Sequence, residues 1–556
     1  MRTHRTRTHY PRTPHLPWSP GASSDDTRIA DLSKFAGREV VVTEKLDGEN
    51  TTLYADGLHA RSLDSAHHPS RAWVKALQGR IARGIPAGWR VCGENMYARH
   101  SLAYEELESW FYGFSVWDAD GRCLDWDRSV RFLRDLGVPV PPVLWRGVFD
   151  ERALRKLPLD TARQEGYVVR TVDGFGAEDF GQRVAKWVRP GHVQTDTHWM
   201  HATVVENGLG PAAALWAVRS GAAPDAEALL AAVGVPEGDG KAAAEAAARI
   251  GATGDARLAG VLAALLHRSR RGALAGRLAG ALGLPLARQV ADLVGLHAGL
   301  HRPYPDEERR TGLVRMSYAV DLGVLHAVAG ALAPDAEARE LVEWSALHAE
   351  EAGPLDGLRE AFADLGTDAA GRCRAEAREA YAQGRIRTVE EAVAATWRWR
   401  SGEFPKLIHM VGPAGSGKSS FARGLPDVDA YVSLDELRAA RGSRSDQRAN
   451  GDVLREALAG LDTALAAGGT VVWDATSLNP HQRSLVHAVA HRRDALVTHA
   501  VVLVDKDELA RRNAGRTHPV PPEVLTSQLH RFVPPYPGQA HRTWYVGAGG
   551  TVEEEA

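Results

Sequence analysis

Val40-Val-Val-Thr-Glu-Lys-Leu-Asp-Gly-Glu-Asn50 is the stretch from which the first third of the chain is read. Val40–Thr43 is a β-branched run of the kind that forms a buried strand. Glu44 and Lys45 stand at its end, and Asp47 and Gly48 follow the lysine by two and three residues. A lysine so placed suits attack by its amine on a nucleotide phosphate. The glycine lets the backbone turn and approach a ligand. The amine must first lose a proton. Its reference pKa is about 10.4, so nearby cations or desolvation are expected to lower it. The same residues also fit a solvated lysine before a hairpin turn, and the rest of the chain decides between the two.

From about 38 to 200 the pattern is short strands with short helices. Thr51–Tyr54 reads as a strand, and Ala60-Arg61-Ser62 precedes a helical segment near 70–83. Val91-Cys-Gly-Glu94-Asn95 ends another strand. Trp110–Trp117 alternates like a sheet strand, with Phe114 on one face. Glu165–Arg170 and Val184–Arg189 are two more strands bearing charges. Each charged residue alone could be a solvated strand end. Together, Asp47, Glu94 and Glu165 with Lys186 and Arg189 surround one lysine with three carboxylates and two cations. That set fits metal-assisted nucleotidyl transfer: Glu94 and Glu165 hold Mg²⁺ (or Mn²⁺), and the cations neutralise phosphate and help deprotonate Lys45.

The N-terminal residues Arg2, Arg5, Arg7 and Arg12 have no acid among them. They read as a solvated tail or as an arm touching phosphates. Tyr10–Gly21 is too proline-rich for a helix or central strand and is expected to lie across the first domain. At 556 residues the chain holds more than one domain. Its 44% hydrophobic and 25% charged content are those of a soluble globular protein. A net charge of −3 excludes a uniformly basic nucleic-acid coat but not a local basic groove. Cys92, Cys123 and Cys373 are too far apart in sequence for a Cys-x-x-Cys site. There is no bilayer-length apolar run and no signal-peptide pattern, so the cytoplasm is the expected location.

Over residues 10–200 the ordered motifs resemble the ATP-dependent RNA ligases of the covalent nucleotidyltransferase superfamily, particularly the nick-sealing phage type. The resemblance implies that Lys45 accepts AMP from ATP. It implies that Asn50 and Arg61 assist AMP transfer and end binding, and that Phe114 stacks on adenine. Glu94 and Glu165 match the family's third- and fourth-motif acids, and Lys186 the first lysine of the fifth motif. Glu44, Asp47 and Gly48 belong to the nucleotide-binding set. One departure stands out: the family's usual second lysine is Val188 here. Arg189 is the candidate substitute, although a regular strand would point it to the other face.

Residues 210–395 are rich in Ala, Leu, Arg and Glu at helical spacing. The small β-barrel of DNA ligases and capping enzymes is not indicated there, which favours RNA ligase. Leu262–His267 and Leu293–His301 resemble the helices of HD-type phosphohydrolases. Arg268 stands where the metal-binding Asp should follow His267, and a cation there repels a metal. A degenerate HD-like scaffold or an unrelated helical linker is expected. An active phosphoesterase using His267, His297, His301 and Asp321 is the alternative.

Lys406–Val411 reads as a buried strand, followed at once by Gly412-Pro-Ala-Gly415-Ser416-Gly417-Lys418-Ser419-Ser420. This is a complete phosphate-binding loop between strand and helix. Its backbone N–H groups wrap phosphates, Lys418 reaches the β/γ-phosphates and Ser419 the Mg²⁺. Asp435 and Arg438 are spaced for a general base and a phosphate-binding arginine at a helix start, or for a plain ion pair. Thr470–Asp474 is a second strand ending in an acid, a metal candidate. Arg512 and Arg516 share a helix face, as a lid or as a solvated basic face. In this order the motifs resemble polynucleotide 5′-kinases of RNA repair. The resemblance implies that Asp435 is the base, that Arg438 binds the acceptor's 3′-phosphate, and that Arg512 and Arg516 clamp the donor.

The expected architecture is a multidomain α/β chain. It has an α+β nucleotidyltransferase (ATP-grasp-like ligase) domain over 1–205, an α-helical domain over 206–398, and a P-loop kinase domain with a parallel sheet over 399–556. The expected activity is RNA end healing and sealing with ATP and Mg²⁺ (or Mn²⁺). The partners expected are RNA ends in nicked duplexes or broken stem-loops such as tRNA, and a separate 3′-end-healing enzyme; no membrane is expected. Two other readings remain open. One is a DNA or capping-type nucleotidyltransferase fused to a small-molecule kinase. The other is a non-catalytic RNA-end sensor.

Overall fold

The computed structural model describes residues 7–63, 68–191, 203–441, 450–516 and 519–556. Arg2 and Arg5 lie outside the described residues. Two compact units form, one from residues 1–232 with 251–258, the other from 233–250 with 259–556.

The first unit is built on two antiparallel sheets. One has the order β10-β8-β1-β7, from β1 (Glu39–Lys45), β7 (Val143–Val148), β8 (Gly166–Thr171) and β10 (Val184–Val188). The other has the order β3-β2-β4-β5-β6-β9, from β2 (Glu49–Tyr54), β3 (Gly57–Ala60), β4 (Arg90–Asn95), β5 (Phe111–Trp117), β6 (Arg122–Cys123) and β9 (Phe175–Gly176). Cys92 and Trp117 of the second sheet pack with Val184 of the first, along with Phe175 and Phe180. The outer face of the second sheet buries Leu53, Val91 and Phe111 against Val74, Leu77 and Leu133 of the helices Ala72–Ile81 and Trp126–Leu136. The proline-rich segment runs along β10: Leu16 N–H donates to Lys186 O at 2.8 Å and Lys186 N–H to Pro14 O at 2.9 Å.

The second unit carries a mostly parallel sheet in the order β12-β13-β11-β14-β15-β16. Its strands are β11 (Lys406–Val411), β12 (Ala430–Ser433), β13 (Thr470–Asp474), β14 (Leu496–Val502), β15 (Arg542–Val546) and β16 (Val552–Glu555), of which only β16 pairs antiparallel. Buried Leu407, Val471 and Val497 pack against Leu461 and Val489 of covering helices on one face. Met410, Val472 and Val502 face Ala422 on the other.

The helices of the middle region in this unit are tied to that sheet by buried charge. Asp292, 1% exposed, accepts from Arg271 at 2.6 Å and Arg288 at 2.7 Å. Arg288 also makes a two-pronged pair with Glu554 of β16, both contacts at 2.8 Å. Asp368 bridges Lys406 of β11 and Arg542 of β15. Contacts therefore join most of the helical stretch to the sheet.

Candidate active sites

In the first unit, strand register assembles the site. Lys45 pairs with Gly166 across β1 and β8, which sets it beside Glu165. Its Nζ donates to Glu165 Oε2 at 2.5 Å, and Glu165 is 4% exposed. Asn50 pairs with Glu94 across β2 and β4. Lys186 pairs with Val168 on the far side of β8. Asp47 and Gly48 link the two sheets, because β1 ends at Lys45 and β2 begins at Glu49.

The electrostatics depart from expectation at Lys45. Burial alone would depress its pKa, but Glu165, Glu94 and Asp47 together outweigh that and raise it. The carboxylates that make the site also lock the amine as an ammonium. Glu94 is pushed up to about 8, first by burial and then by the like charges of Glu165 and Asp47, against the pull of Lys45. Lys186 is depressed by burial and by Lys45. The site gathers three carboxyl groups around Lys45. Its oxygen donors fit a hard divalent cation.

Other expected residues take different roles. Gly48 does not need a left-handed backbone, and its bareness serves the protein itself: a Cβ there would meet Asn95 O at 2.6 Å and Met96 Sδ at 2.7 Å. The Asp47 carboxylate accepts from the backbone N–H groups of Ser101 and Leu102, both at 2.9 Å, so it anchors a neighbouring loop. Glu44 is held by Gln164 Nε2 at 3.0 Å. Phe114 sits in a bulge, since Cys92 pairs with Ser115 and Gly93 with Gly113, leaving Phe114 unpaired and re-aimed. Tyr10 of the N-terminal segment packs edge-on against it at 5.2 Å. Asn50 Oδ1 is buried without a hydrogen-bond partner, in keeping with a group awaiting a ligand. Arg61 is exposed and adds positive potential at Lys186. The Arg189 guanidinium donates to Thr161 O at 2.6 Å, so the contact it makes is with a loop. The sequence reading missed Tyr104, whose hydroxyl accepts from Asp47 N–H, and Gln164. Neither stands in a recognisable spacing.

In the second unit a cleft of about 1180 Å³ opens at the C-terminal ends of the parallel strands. Gly415, Ser416, Gly417, Lys418, Ser419 and Ser420 line it, with Asp435, Arg438, Asp474, Arg512 and Arg516. Gly415 and Gly417 have φ of 80° and 103°, so only glycine suits them. Gly412 is not part of the lining; its N–H donates to Thr476 O at 3.0 Å, which anchors the loop to the end of β13. Lys418 Nζ folds back on Pro413 O at 2.8 Å, and burial depresses its pKa to about 8 against the attraction of Asp474 and Asp435.

Asp435 and Arg438 pair at 2.8 Å. Asp474 accepts a short hydrogen bond from the Tyr431 hydroxyl. Arg512 donates to Ser416 O at 3.0 Å and to Ala548 O at 2.7 Å. Its helix, Lys506–Ala514, ends before Arg516, so the two arginines reach the cleft from a helix and from the loop beyond it. Gln528, missed in the sequence, holds the phosphate loop by accepting from Ala414 N–H at 2.8 Å.

Each of the middle-region candidates makes a hydrogen bond to the backbone. His267 and His297 bond the carbonyls of Ala264 and Val294, and His301 that of Ala329, each at 2.9 Å. Asp321 caps a helix by accepting from Val324 N–H. Among the described residues, the side chains close enough to share a metal are instead His409, His487 and His499.

Comparison with known proteins bears on both units. Residues 38–188 match the RNA ligase family, and residues 407–535 match the AAA domain family. The chain therefore carries an RNA ligase domain and a P-loop domain of AAA type. A solved RNA ligase of Naegleria gruberi with ATP and Mn is 19% identical over 28% of this chain and 52% of its own, with a TM-score of 0.22. A chain of the Pnkp1/Rnl/Hen1 RNA repair complex is 22% identical over 23% of this chain and 44% of its own, TM-score 0.21. A sugar kinase from Janibacter is 18% identical over 26% of this chain and 86% of its own, TM-score 0.22. The chain thus spans about half the length of the ligase structures it matches. No curated protein matches the sequence.

Proposed function

We propose that this chain heals and seals RNA ends in two consecutive steps. The P-loop domain phosphorylates a 5′-OH end, and the ligase domain joins the resulting 5′-phosphate to a 3′-OH through an AMP adduct on Lys45. The observation that carries this reading is the register that sets the Lys45 amine on Glu165, beside Glu94, in a chain that also has a phosphate cleft. The product of the second site is the substrate of the first, and tethering raises its local concentration.

Glu165, in contact with the amine, is the main charge that favours the protonated form of Lys45, with smaller contributions from Glu94 and Asp47. A divalent cation on these acids would supply charge that cancels theirs and polarises the nucleotide's phosphates. The Lys45 amine gives its proton to Glu165 and attacks the α-phosphorus of ATP, and pyrophosphate leaves. Lys186 and Arg61 face the phosphates with positive charge. In the second site Asp435 accepts the proton of the acceptor hydroxyl once Arg438 turns from it to an acceptor phosphate. Arg512 and Lys418 hold the donor phosphates, and Asp474 with Ser419 provides oxygen donors for Mg²⁺ or Mn²⁺. Ends bearing a 2′,3′-cyclic phosphate need a separate 3′-end-healing enzyme, because among the described residues His267, His297, His301 and Asp321 do not gather as a group of metal ligands.

The test is a nicked RNA duplex with 5′-OH and 3′-OH at the break, given ATP and Mg²⁺. Wild type is expected to seal it. Lys45→Ala is expected to stop at the 5′-phosphate, and Lys418→Ala to leave the 5′-OH untouched. A wild-type protein that adenylylates Lys45 while no strand gains phosphate would remove the kinase half. Failure of Lys45 to take up AMP would remove the ligase half.

A further inference from the structure

Behind the phosphate loop, on the sheet face covered by the helix Pro480–Arg492, four polar side chains stand in one cross-strand row. Register aligns Trp473, His409, His499 and Thr543 on β13, β11, β14 and β15. All are at most 1% exposed. His487 comes down on the row from the helix, its Nε2 at 2.8 Å from His499 Nε2. One ring nitrogen of each of the three histidines lies within 4.8 Å of the others. His409 Nδ1 and His499 Nδ1 have no hydrogen-bond partner, although fully buried.

Such orphaned nitrogens call for an occupant. We propose that His409, His487 and His499 form a binding site for a late first-row divalent cation, Zn²⁺ by preference, which braces the base of the phosphate loop.

Donor chemistry selects the ion. Three imidazoles with neither carboxylate nor thiolate suit Zn²⁺ and its neighbours, whereas Mg²⁺ and Ca²⁺ require oxygen. Tetrahedral Zn–N bonds of about 2.1 Å set ligand atoms about 3.4 Å apart. One ring nitrogen from each histidine already lies within 4.8 Å of the others, the scale of that spacing.

His409 is oriented from behind: its Nε2 meets Ser477 Oγ at 2.8 Å. Ser477 has φ of 47°, a left-handed conformation that a non-glycine residue adopts at a cost. Arg483 places a positive charge nearby, its guanidinium held by Ser477 O and Val533 O. A hydroxide or chloride in the fourth coordination position would offset that charge. His409 lies three residues before Gly412, and Ser477 follows Thr476, which anchors Gly412. An ion here would join β11, β14 and the covering helix directly beneath the loop.

The experiment uses the full chain without a histidine tag. Protein stripped with chelator is dialysed against Zn²⁺ and assayed for metal by mass spectrometry, and in parallel titrated with Co²⁺. Expected are one zinc per chain and the intense visible bands of tetrahedral nitrogen-bound Co²⁺. Both are lost in His487→Gln, whose circular dichroism matches wild type. Folded wild type that takes up no zinc or shows no intense tetrahedral Co²⁺ bands, or undiminished tetrahedral Co²⁺ bands in His487→Gln, would each overturn the proposal. If His487→Gln does not fold, the wild-type Co²⁺ spectrum decides alone.

Discussion

Replacing Glu94 with Gln is expected to stabilise the ligand-free protein, in a manner that depends on pH. The folded state holds this acid neutral, with a pKa raised from 4.5 to about 8. A raised acid pKa favours folding at low pH, and that advantage is lost as pH climbs from the unfolded value through the folded one. Above that window the folded protein carries an ionised carboxylate crowded by burial and by Glu165 and Asp47. A tenfold change in proton affinity is worth about 1.4 kcal/mol, so the full penalty has a ceiling of about 5 kcal/mol. Glu94 keeps partial contact with water, which screens the charges and brings the expected gain to about 2–3 kcal/mol. Calorimetry of both proteins would show transitions that coincide near about pH 4.5 and separate above about pH 8, with Glu94→Gln melting higher. Adding Mg²⁺ would narrow the gap, since a cation stabilises the wild-type carboxylate. A gap independent of pH, or a variant less stable than wild type in alkali, would refute the electrostatic account.

Glu165→Gln removes the strongest charge holding Lys45 as an ammonium. An opposite charge at contact changes proton affinity by about tenfold to a thousandfold. Modification of Lys45 by an amine reagent at neutral pH, followed by peptide mass spectrometry, is therefore expected to speed up at least about tenfold, and an unchanged rate would contradict the lock. Arg288→Ala leaves Asp292 and Glu554 without their shared partner. Breaking a buried pair costs about 3–5 kcal/mol, so the melting transition of the second unit is expected to fall while AMP uptake by Lys45 stays intact.

The two sites were legible in different degrees. The phosphate loop was read almost whole, because its function depends on backbone conformation at consecutive residues, and Gly415 and Gly417 declare that locally. Lys45, Glu94, Glu165 and Lys186 were legible as an ordered set of charged strand ends. The helical character of the middle region followed from its periodicity. The bulge that re-aims Phe114 was not legible, because a bulge is a property of paired strands. Gln528, Tyr431, Tyr104 and Gln164 were invisible for a related reason: each works through one long-range hydrogen bond and needs no neighbour in sequence.

By itself, then, the sequence determined which elements form and which residues carry charge to their ends: Val40–Thr43 before Lys45, and Lys406–Val411 before the glycine loop. Only the tertiary structure decided what those charges do to one another. Desolvation pulls Lys45 toward its neutral form and three acids pull it back, and the sign of the sum depends on distances of a few ångströms set by β-register. Likewise, His267, His297 and His301, read in sequence as a degenerate HD-like set or, alternatively, as metal ligands, do not gather as a ligand group among the described residues. His409, His487 and His499, on two strands and a helix, are brought together by the sheet, because adjacent parallel strands hold partnered side chains on one face.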